Sequence, residues 1–102
     1  LVLKGAPTII FTPNGETFFI TTGNPGMASF GSGDVLTGVI ASFIAQNEEF
    51  ENALISSVYI HSLSADLLTE ESTFHGITAG SIMKNIPKAI KFIDESFTKN
   101  YL

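Results

Sequence analysis

Gly23-Asn24-Pro25-Gly26-Met27-Ala28-Ser29-Phe30-Gly31-Ser32-Gly33-Asp34-Val35-Leu36-Thr37-Gly38 is the stretch from which the rest of the chain is read. It holds five glycines, one proline and a single carboxylate, and it runs directly into an uncharged apolar segment. A glycine-dense loop that opens a helix leaves backbone N–H groups without intrahelical partners, and with the helix dipole these form an anion site. Asp34 falls on the first turn of the helix so predicted, beside the place of the anion. A glycine-rich turn with an acidic helix cap accounts for the same residues. Local chemistry does not choose between the two.

A length of 102 residues gives room for one domain or a piece of one. The apolar share of 44% is high, mean hydropathy is positive, and charged residues are only 15%, well under the usual quarter. Much of the surface is therefore expected to be buried against something outside these residues. The chain also opens within an apolar run, Leu1-Val2-Leu3. It reads as the C-terminal part of a larger domain, its N-terminal part absent, or as one chain of a nicked protein. The net charge of −5 with no basic cluster argues against binding nucleic acid through phosphate neutralisation. With no cysteine, disulfides, zinc–thiolate sites and thiol nucleophiles are excluded within these residues. The longest uncharged helical run, Val35 to Asn47, falls short of the about 20 residues that span a bilayer. No membrane association is expected, no signal pattern opens the chain, and a cytoplasmic location follows.

Outward from the loop, Leu1 to Lys4 reads as a strand end closed by Gly5, Ala6 and Pro7. Thr8 to Thr12 and Glu16 to Thr22 are β-branched and aromatic, and the Asn14-Gly15 pair between them signals an antiparallel hairpin. Phe11, Phe18, Phe19 and Ile20 need a cover that later helices can supply. The spacing of Val35, Leu36, Val39, Ile40, Phe43 and Ile44 predicts a helix over about Ser32 to Gln46. Its other faces are small rather than charged, which predicts burial nearly all round. Gly38 is expected to admit another backbone, since an interior helical glycine costs about 1 kcal/mol against alanine. Asn47, Glu48, Glu49 and Glu51 mark the start of a second helix running to about Glu70. Its predicted apolar face is Phe50, Leu54, Val58, His61, Ala65 and Leu68. Ser72 to Ile77 reads as a loop and Thr78 as the cap of a short helix, Ala79 to Asn85. Pro87 starts or kinks a last helix with the apolar line Ile90, Ile93 and Phe97. The order suggests one end of a layered α/β domain.

Two phosphate loops fail on spacing. A Walker A loop needs Lys after the second glycine of GxxxxG, but Ser32 and Gly33 follow Gly26 and Gly31. A GxGxxG fingerprint starting at Gly31 and Gly33 meets Leu36 where glycine is required. What remains is Gly31-Ser32-Gly33-Asp34 at a helix start. There the N–H groups would steady a transferred phosphoryl group while Asp34 takes the acceptor hydroxyl proton. His61 reads as a packed, hydrogen-bonded histidine rather than a ligand, and His75 as loop. Neither has a partner at metal-ligand spacing, and no protein metal site is expected. Glu48-Glu49 and Glu70-Glu71 read as solvated helix ends. Lys4 closes an apolar strand and either faces a site or stands in solvent. Met27 either leans on a planar ligand or fills a gap.

Gly23 to Ala28 joined to Gly31 through Gly38 resembles the signature of the NAD(P)H-hydrate dehydratases, the YjeF C-terminal, carbohydrate-kinase-like family of the ribokinase-like superfamily. The likeness extends to Leu3-Lys4-Gly5-Ala6, to Val58-Tyr59-Ile60-His61 with Ala65-Asp66, and to Ile86-Pro87. It implies a ribokinase-like layered α/β/α domain of which this chain is the C-terminal portion, a hairpin followed by helices. The implied activity is nicotinamide nucleotide repair. NAD(P)H-hydrate is phosphorylated on its ring hydroxyl by ADP, or by ATP, and phosphate then leaves to restore NAD(P)H, with AMP as the other product of ADP. Carried over by position, Asp34 contacts the hydrate and acts as base, and Gly31, Ser32 and Gly33 form the anion hole. Lys4, Gly5, Ala6, Pro7 and Thr8, with Asn24, Pro25, Gly26, Met27, Ala28 and Ser29, line the adenine nucleotide site. The resemblance also implies Mg2+ and a homo-oligomer, a tetramer. Phe30 departs from the pattern, standing where the family usually has a small residue, and implies a bulkier loop near the nucleotide. Ser62 and Ala65 replace frequent glycines, and Ser81 a frequent acid. The alternatives are a small-molecule kinase of the same superfamily, for a vitamin precursor or a sugar, and a non-catalytic nucleotide-binding or structural remnant.

Overall fold

The computed structural model describes residues 1–46 and 49–101, with side chains described as far as Ser96. The predicted helix-start residues Asn47 and Glu48 lie outside the described residues, as does the side chain of Phe97. Strands β1 (Val2–Leu3), β2 (Thr8–Phe11) and β3 (Thr17–Ile20) form an antiparallel sheet in that order. The predicted hairpin closes through Thr12 N–H donating to Glu16 O at 2.9 Å, with Gly15 at φ +87°. Side chains alternate along a strand. The register therefore sets Val2, Thr8, Ile10, Phe18 and Ile20 on one face and Leu3, Ile9, Phe11, Thr17 and Phe19 on the other. The first face packs on Leu36, Leu54 and Val58 from the helices. Phe11 and Phe19 are 39% and 61% exposed. The helices thus cover Phe18 and Ile20 but not Phe11 and Phe19, because they meet one face of the sheet.

Helix α1 (Ser32–Gln46) has the bounds its periodicity predicts. Its burial does not match. Only Ser32 and Leu36 are fully buried, and Thr37, Gly38, Ala41, Ser42 and Ala45 are exposed. Among the described residues nothing lies within 4 Å of where a Gly38 Cβ would stand, so the expected backbone approach is not made by any of them. The helix buried nearly all round is α2 (Phe50–Leu68), in which Ala53, Leu54, Ser57 and Val58 and the whole run Ile60 to Ala65 are buried. The reason is position, since α2 lies between α1 and the last helix and also reaches β3, whereas α1 has neighbours on one side. Serine is tolerable in such a helix when its hydroxyl is satisfied. Ser57 Oγ donates to Leu54 O at 2.8 Å and Ser64 Oγ to Ile82 O at 2.7 Å. Phe50 at the start of α2 is exposed, off the predicted apolar face.

The segment after α2 holds one 3-10 turn, Phe74–Gly76. Thr78 then caps α3 (Ala79–Tyr101) as predicted, its Oγ1 accepting from Ser81 N–H at 3.0 Å while Ser81 Oγ accepts from Thr78 N–H at 2.9 Å. Ser81 thus closes the capping box usually completed by an acid or amide. The two short predicted helices are one, with Pro87 inside it. Pro87 and Met83, one turn earlier, are both exposed, so water can take the bond that proline cannot donate. The packed line is Ile82, Asn85, Ile86, Ala89 and Ile93. Ile90 is exposed and off it. Among the described residues, no helix is long and apolar enough to cross a membrane.

Candidate functional site

Lys4 to Thr8, leading from β1 into β2, face the segment that leaves β3 across an open cleft of about 660 Å³. That is within the range of small-molecule sites. Thr21, Thr22, Gly23, Asn24, Pro25, Met27 and Ala28 form the opposite wall. The five residues expected from Lys4 to Thr8 line this cleft, as do Asn24, Pro25, Met27 and Ala28. Gly26 does not line the cleft. It is buried behind the wall, where an added Cβ would stand 2.8 Å from both Asn24 Oδ1 and Ile77 Cδ1. Met27 lines the cleft and fills a gap behind it, packing against the cluster of Ala65, Ile77 and Ile82.

The second wall is held from behind by α2. One oxygen of the Asp66 carboxylate accepts from Gly23 N–H at 2.8 Å and the other from Asn24 Nδ2 at 2.9 Å. Asn24 Oδ1 in turn accepts from Gly26 N–H at 2.9 Å, starting the 3-10 turn Pro25–Ala28. Thr22 and Ser62 join by their hydroxyls one turn earlier. The residues that sequence reasoning missed are therefore Thr21, Thr22 and Gly23 as lining, and Asp66 and Ser62 as anchors. Asp66 was visible only as part of the family pattern, because its partners lie more than 40 residues away.

Ser29, Gly31, Ser32, Gly33 and Asp34 do not line the cleft but lie beyond its end, at the start of α1. Gly31 takes φ +87°, which favours glycine, and turns the chain into the helix. Ser32 N–H donates to Ser29 O and Val35 N–H to Gly31 O. Among the described residues nothing accepts from the N–H groups of Gly33 and Asp34. Lys4 supplies the positive charge, for a Cβ on Gly33 would stand 3.3 Å from Lys4 Nζ. Lys4 thus bridges cleft and helix start. Asp34 is exposed there, without a hydrogen bond or ion pair among the described residues. Phe30 is fully exposed in the loop and does not line the cleft.

Behind the helix start, His61 is buried, as read from the sequence, but among the described residues it has no hydrogen-bond partner. Burial first, and then the Lys4 charge, push its pKa below the ordinary 6.5, while the nearby Ser32 backbone opposes them. His75 is exposed in its 3-10 turn, and Glu70 and Glu71 are exposed at the end of α2. Among the described residues, no group of three or more His, Cys, Asp or Glu could hold a metal ion.

Residues 1–88 match the family profile described as NAD(P)H-hydrate dehydratase. The chain is 43% identical over 97 residues to a bifunctional NAD(P)H-hydrate repair enzyme of Thermofilum pendens, covering 95% of this chain and 18% of that one. It is 35% identical over 91 residues to the ADP-dependent (S)-NAD(P)H-hydrate dehydratase of Bacillus subtilis, covering 89% of this chain and 33% of that one. A crystal structure of the Bacillus subtilis ADP/ATP-dependent NAD(P)H-hydrate dehydratase, co-crystallised with ATP and Mg2+, matches with a TM-score of 0.85 at 35% identity. That match covers 88% of this chain and 33% of the other. The three-stranded sheet and helices are thus part of the kinase-like layered α/β fold of that enzyme, and the chain spans a third or less of these relatives' lengths.

Proposed function

The chain belongs to the NAD(P)H-hydrate dehydratase family, and from that premise we propose that it forms the nucleotide cleft and anion hole of an enzyme that repairs NAD(P)H-hydrate with ADP. One observation carries the reading. Two free N–H groups, the Lys4 ammonium and the exposed Asp34 carboxylate converge at the start of α1, at the end of a nucleotide-sized cleft. An adenine nucleotide in the cleft would direct its phosphates to that end. There the Gly33 and Asp34 N–H groups and Lys4 stabilise charge on the transferred phosphoryl.

Asp34 accepts the proton of the hydrate's ring hydroxyl as its oxygen attacks the terminal phosphorus of ADP, and the bond to AMP breaks. Expulsion of the new phosphate with loss of a ring proton restores the double bond. Magnesium typically takes one or two carboxylates together with phosphates. The one carboxylate that the described residues offer at the helix start, Asp34, is the one that takes the hydroxyl proton, so they leave none to hold a magnesium ion.

The remaining expectations rest on the same reading. The chain is the C-terminal part of a single larger domain, whose other part lies on the bare small-residue face of α1 and the open apolar face of the sheet. The enzyme is cytoplasmic and a homo-oligomer. The test is turnover of hydrated NADH by the complete protein with ADP and with ATP. Release of AMP and phosphate together with NADH is expected, and the Asp34→Asn variant should nearly abolish it. Accumulation of a stable phosphorylated product would identify a small-molecule kinase instead. Failure of the complete protein to bind either nucleotide would leave only a non-catalytic role.

A further inference from the structure

The first turn of α1 rests on a histidine that makes no hydrogen bond. His61, in the middle of α2, is 1% exposed, and neither Nδ1 nor Nε2 has a partner among the described residues. Its ring approaches the Ser32 backbone without reaching hydrogen-bond geometry. The buried Ser32 hydroxyl is unpartnered too, and so is that of Ser29, whose carbonyl receives the Ser32 N–H. Buried polar groups are nearly always hydrogen-bonded. Four buried polar atoms without protein partners, all on this turn and on the ring beneath it, are therefore unusual. Packing alone does not require them, because leucine would fill a similar volume without polar atoms. Immediately above stand the free N–H groups of Gly33 and Asp34 and the Lys4 ammonium.

We propose that His61 is a positioning residue for the anion hole: when a nucleotide phosphate docks on the Gly33 and Asp34 N–H groups, the Ser29–Ser32 turn settles onto the His61 ring, and the hydrogen bonds left unmade in the free protein form. The ring suits this exchange. Burial and the neighbouring Lys4 charge favour its neutral form, which donates from one nitrogen and accepts at the other. It can therefore meet a serine carbonyl and a serine hydroxyl together.

The inference rests on reading the helix start as a phosphate site, and the experiment separates the two. ADP binding to the complete protein is measured by calorimetry for the parent, His61→Leu and His61→Gln, with thermal melting in parallel. In His61→Leu the melting temperature should hold or rise, since two unpartnered nitrogens are gone, while ADP binds about tenfold more weakly, the worth of one hydrogen bond. His61→Gln should recover part of the affinity. In the parent, the imidazole nitrogen chemical shifts should move when ADP is added. Unchanged ADP affinity in a folded His61→Leu overturns the proposal, as does a glutamine variant no better than leucine. If the variants do not fold, imidazole shifts insensitive to ADP overturn it. No ADP binding by the parent would instead overturn the nucleotide reading itself, and this inference with it.

Discussion

Replacing Asp66 with alanine tests whether α2 sets the shape of the nucleotide wall, because the side chain lies behind the cleft rather than in it. The carboxylate accepts two bonds, from Gly23 N–H at 2.8 Å and Asn24 Nδ2 at 2.9 Å. A hydrogen bond to a charged group contributes roughly 1.5–3 kcal/mol. Asp66 is half-buried, so water can partly replace what is lost, and the lower figure applies to each bond. The pair then holds the wall by about 3 kcal/mol. Every 1.4 kcal/mol is a factor of ten. The KM for ADP should therefore rise by roughly 100-fold as the Asn24–Gly26 turn loses its anchor. The value of kcat should change by less than about threefold, since Asp34 and the anion hole stand on α1. Asp66→Asn offers one acceptor to Gly23 N–H but turns an NH2 toward the Asn24 NH2, so it should show about half the effect on a free-energy scale. Initial rates against ADP concentration, with urea denaturation alongside, make the measurement. A large fall in kcat at unchanged KM, or an Asp66→Ala protein with parental kinetics, would refute the reasoning.

Lys4→Met should weaken ADP binding and flatten its salt dependence with little loss of stability, because Lys4 is exposed and has no ion pair among the described residues; titration of affinity against salt checks this. The same variant should raise the His61 pKa, since Lys4 is one of the two influences that lower it, and an NMR titration reads the shift. Gly26→Ala forces a Cβ to within 2.8 Å of Asn24 Oδ1 and Ile77 Cδ1 and should destabilise by about 1–3 kcal/mol in urea. For pH, the folded His61 pKa lies below its unfolded 6.5, so the unfolded chain binds the proton first on acidification. Stability from this group is complete above 6.5 and is lost as pH falls through the folded value. Urea midpoints at pH 7.5 and 5.5 should differ less in His61→Leu than in the parent. Ala41→Glu, on the exposed face of α1, should destabilise the complete protein, whose other part covers that face on the proposed reading, and denaturation of the variant tests it.

Local signals carried much of the fold. Asn14-Gly15 located the hairpin, and the glycine loop with the spacing from Val35 to Ile44 located α1 to the residue. These depend on turn chemistry and helical period, which act over a few positions. The identity of the central helix was hidden because α1 and α2 are both poor in charge, and amphipathic pattern cannot say how many neighbours a small uncharged face will have. Sequence favours α1 for burial, while packing chooses α2. Pro87 misled for a related reason. A proline breaks a helix whose lost bond falls in the core, and whether this one does depends on which face meets α2.

The same distinction separates the legible part of the site from the rest. On the proposed reading, Gly33 and Asp34 act through backbone N–H groups whose availability follows from standing at a helix start, so sequence reveals them. Lys4, Asp66 and His61 act across distances in sequence that only the fold closes: Lys4 meets Gly33, Asp66 meets Gly23 and Asn24, and His61 lies under Ser32. Two of the three are on α2, five residues apart, and they serve different ends of the site. The Asp66 bonds are already made, whereas the nitrogens of His61 are unpartnered. On the proposed reading, the nucleotide wall is therefore preorganised and the anion hole is the part with bonds still to form. Substitutions at Asp66 should consequently weaken binding of any ligand that uses the wall, including adenosine without phosphates. Substitutions at His61 should weaken only ligands that carry phosphate to α1. Comparing adenosine with ADP across the two sets of variants decides it, and equal losses for both ligands in His61→Leu would refute this division of labour.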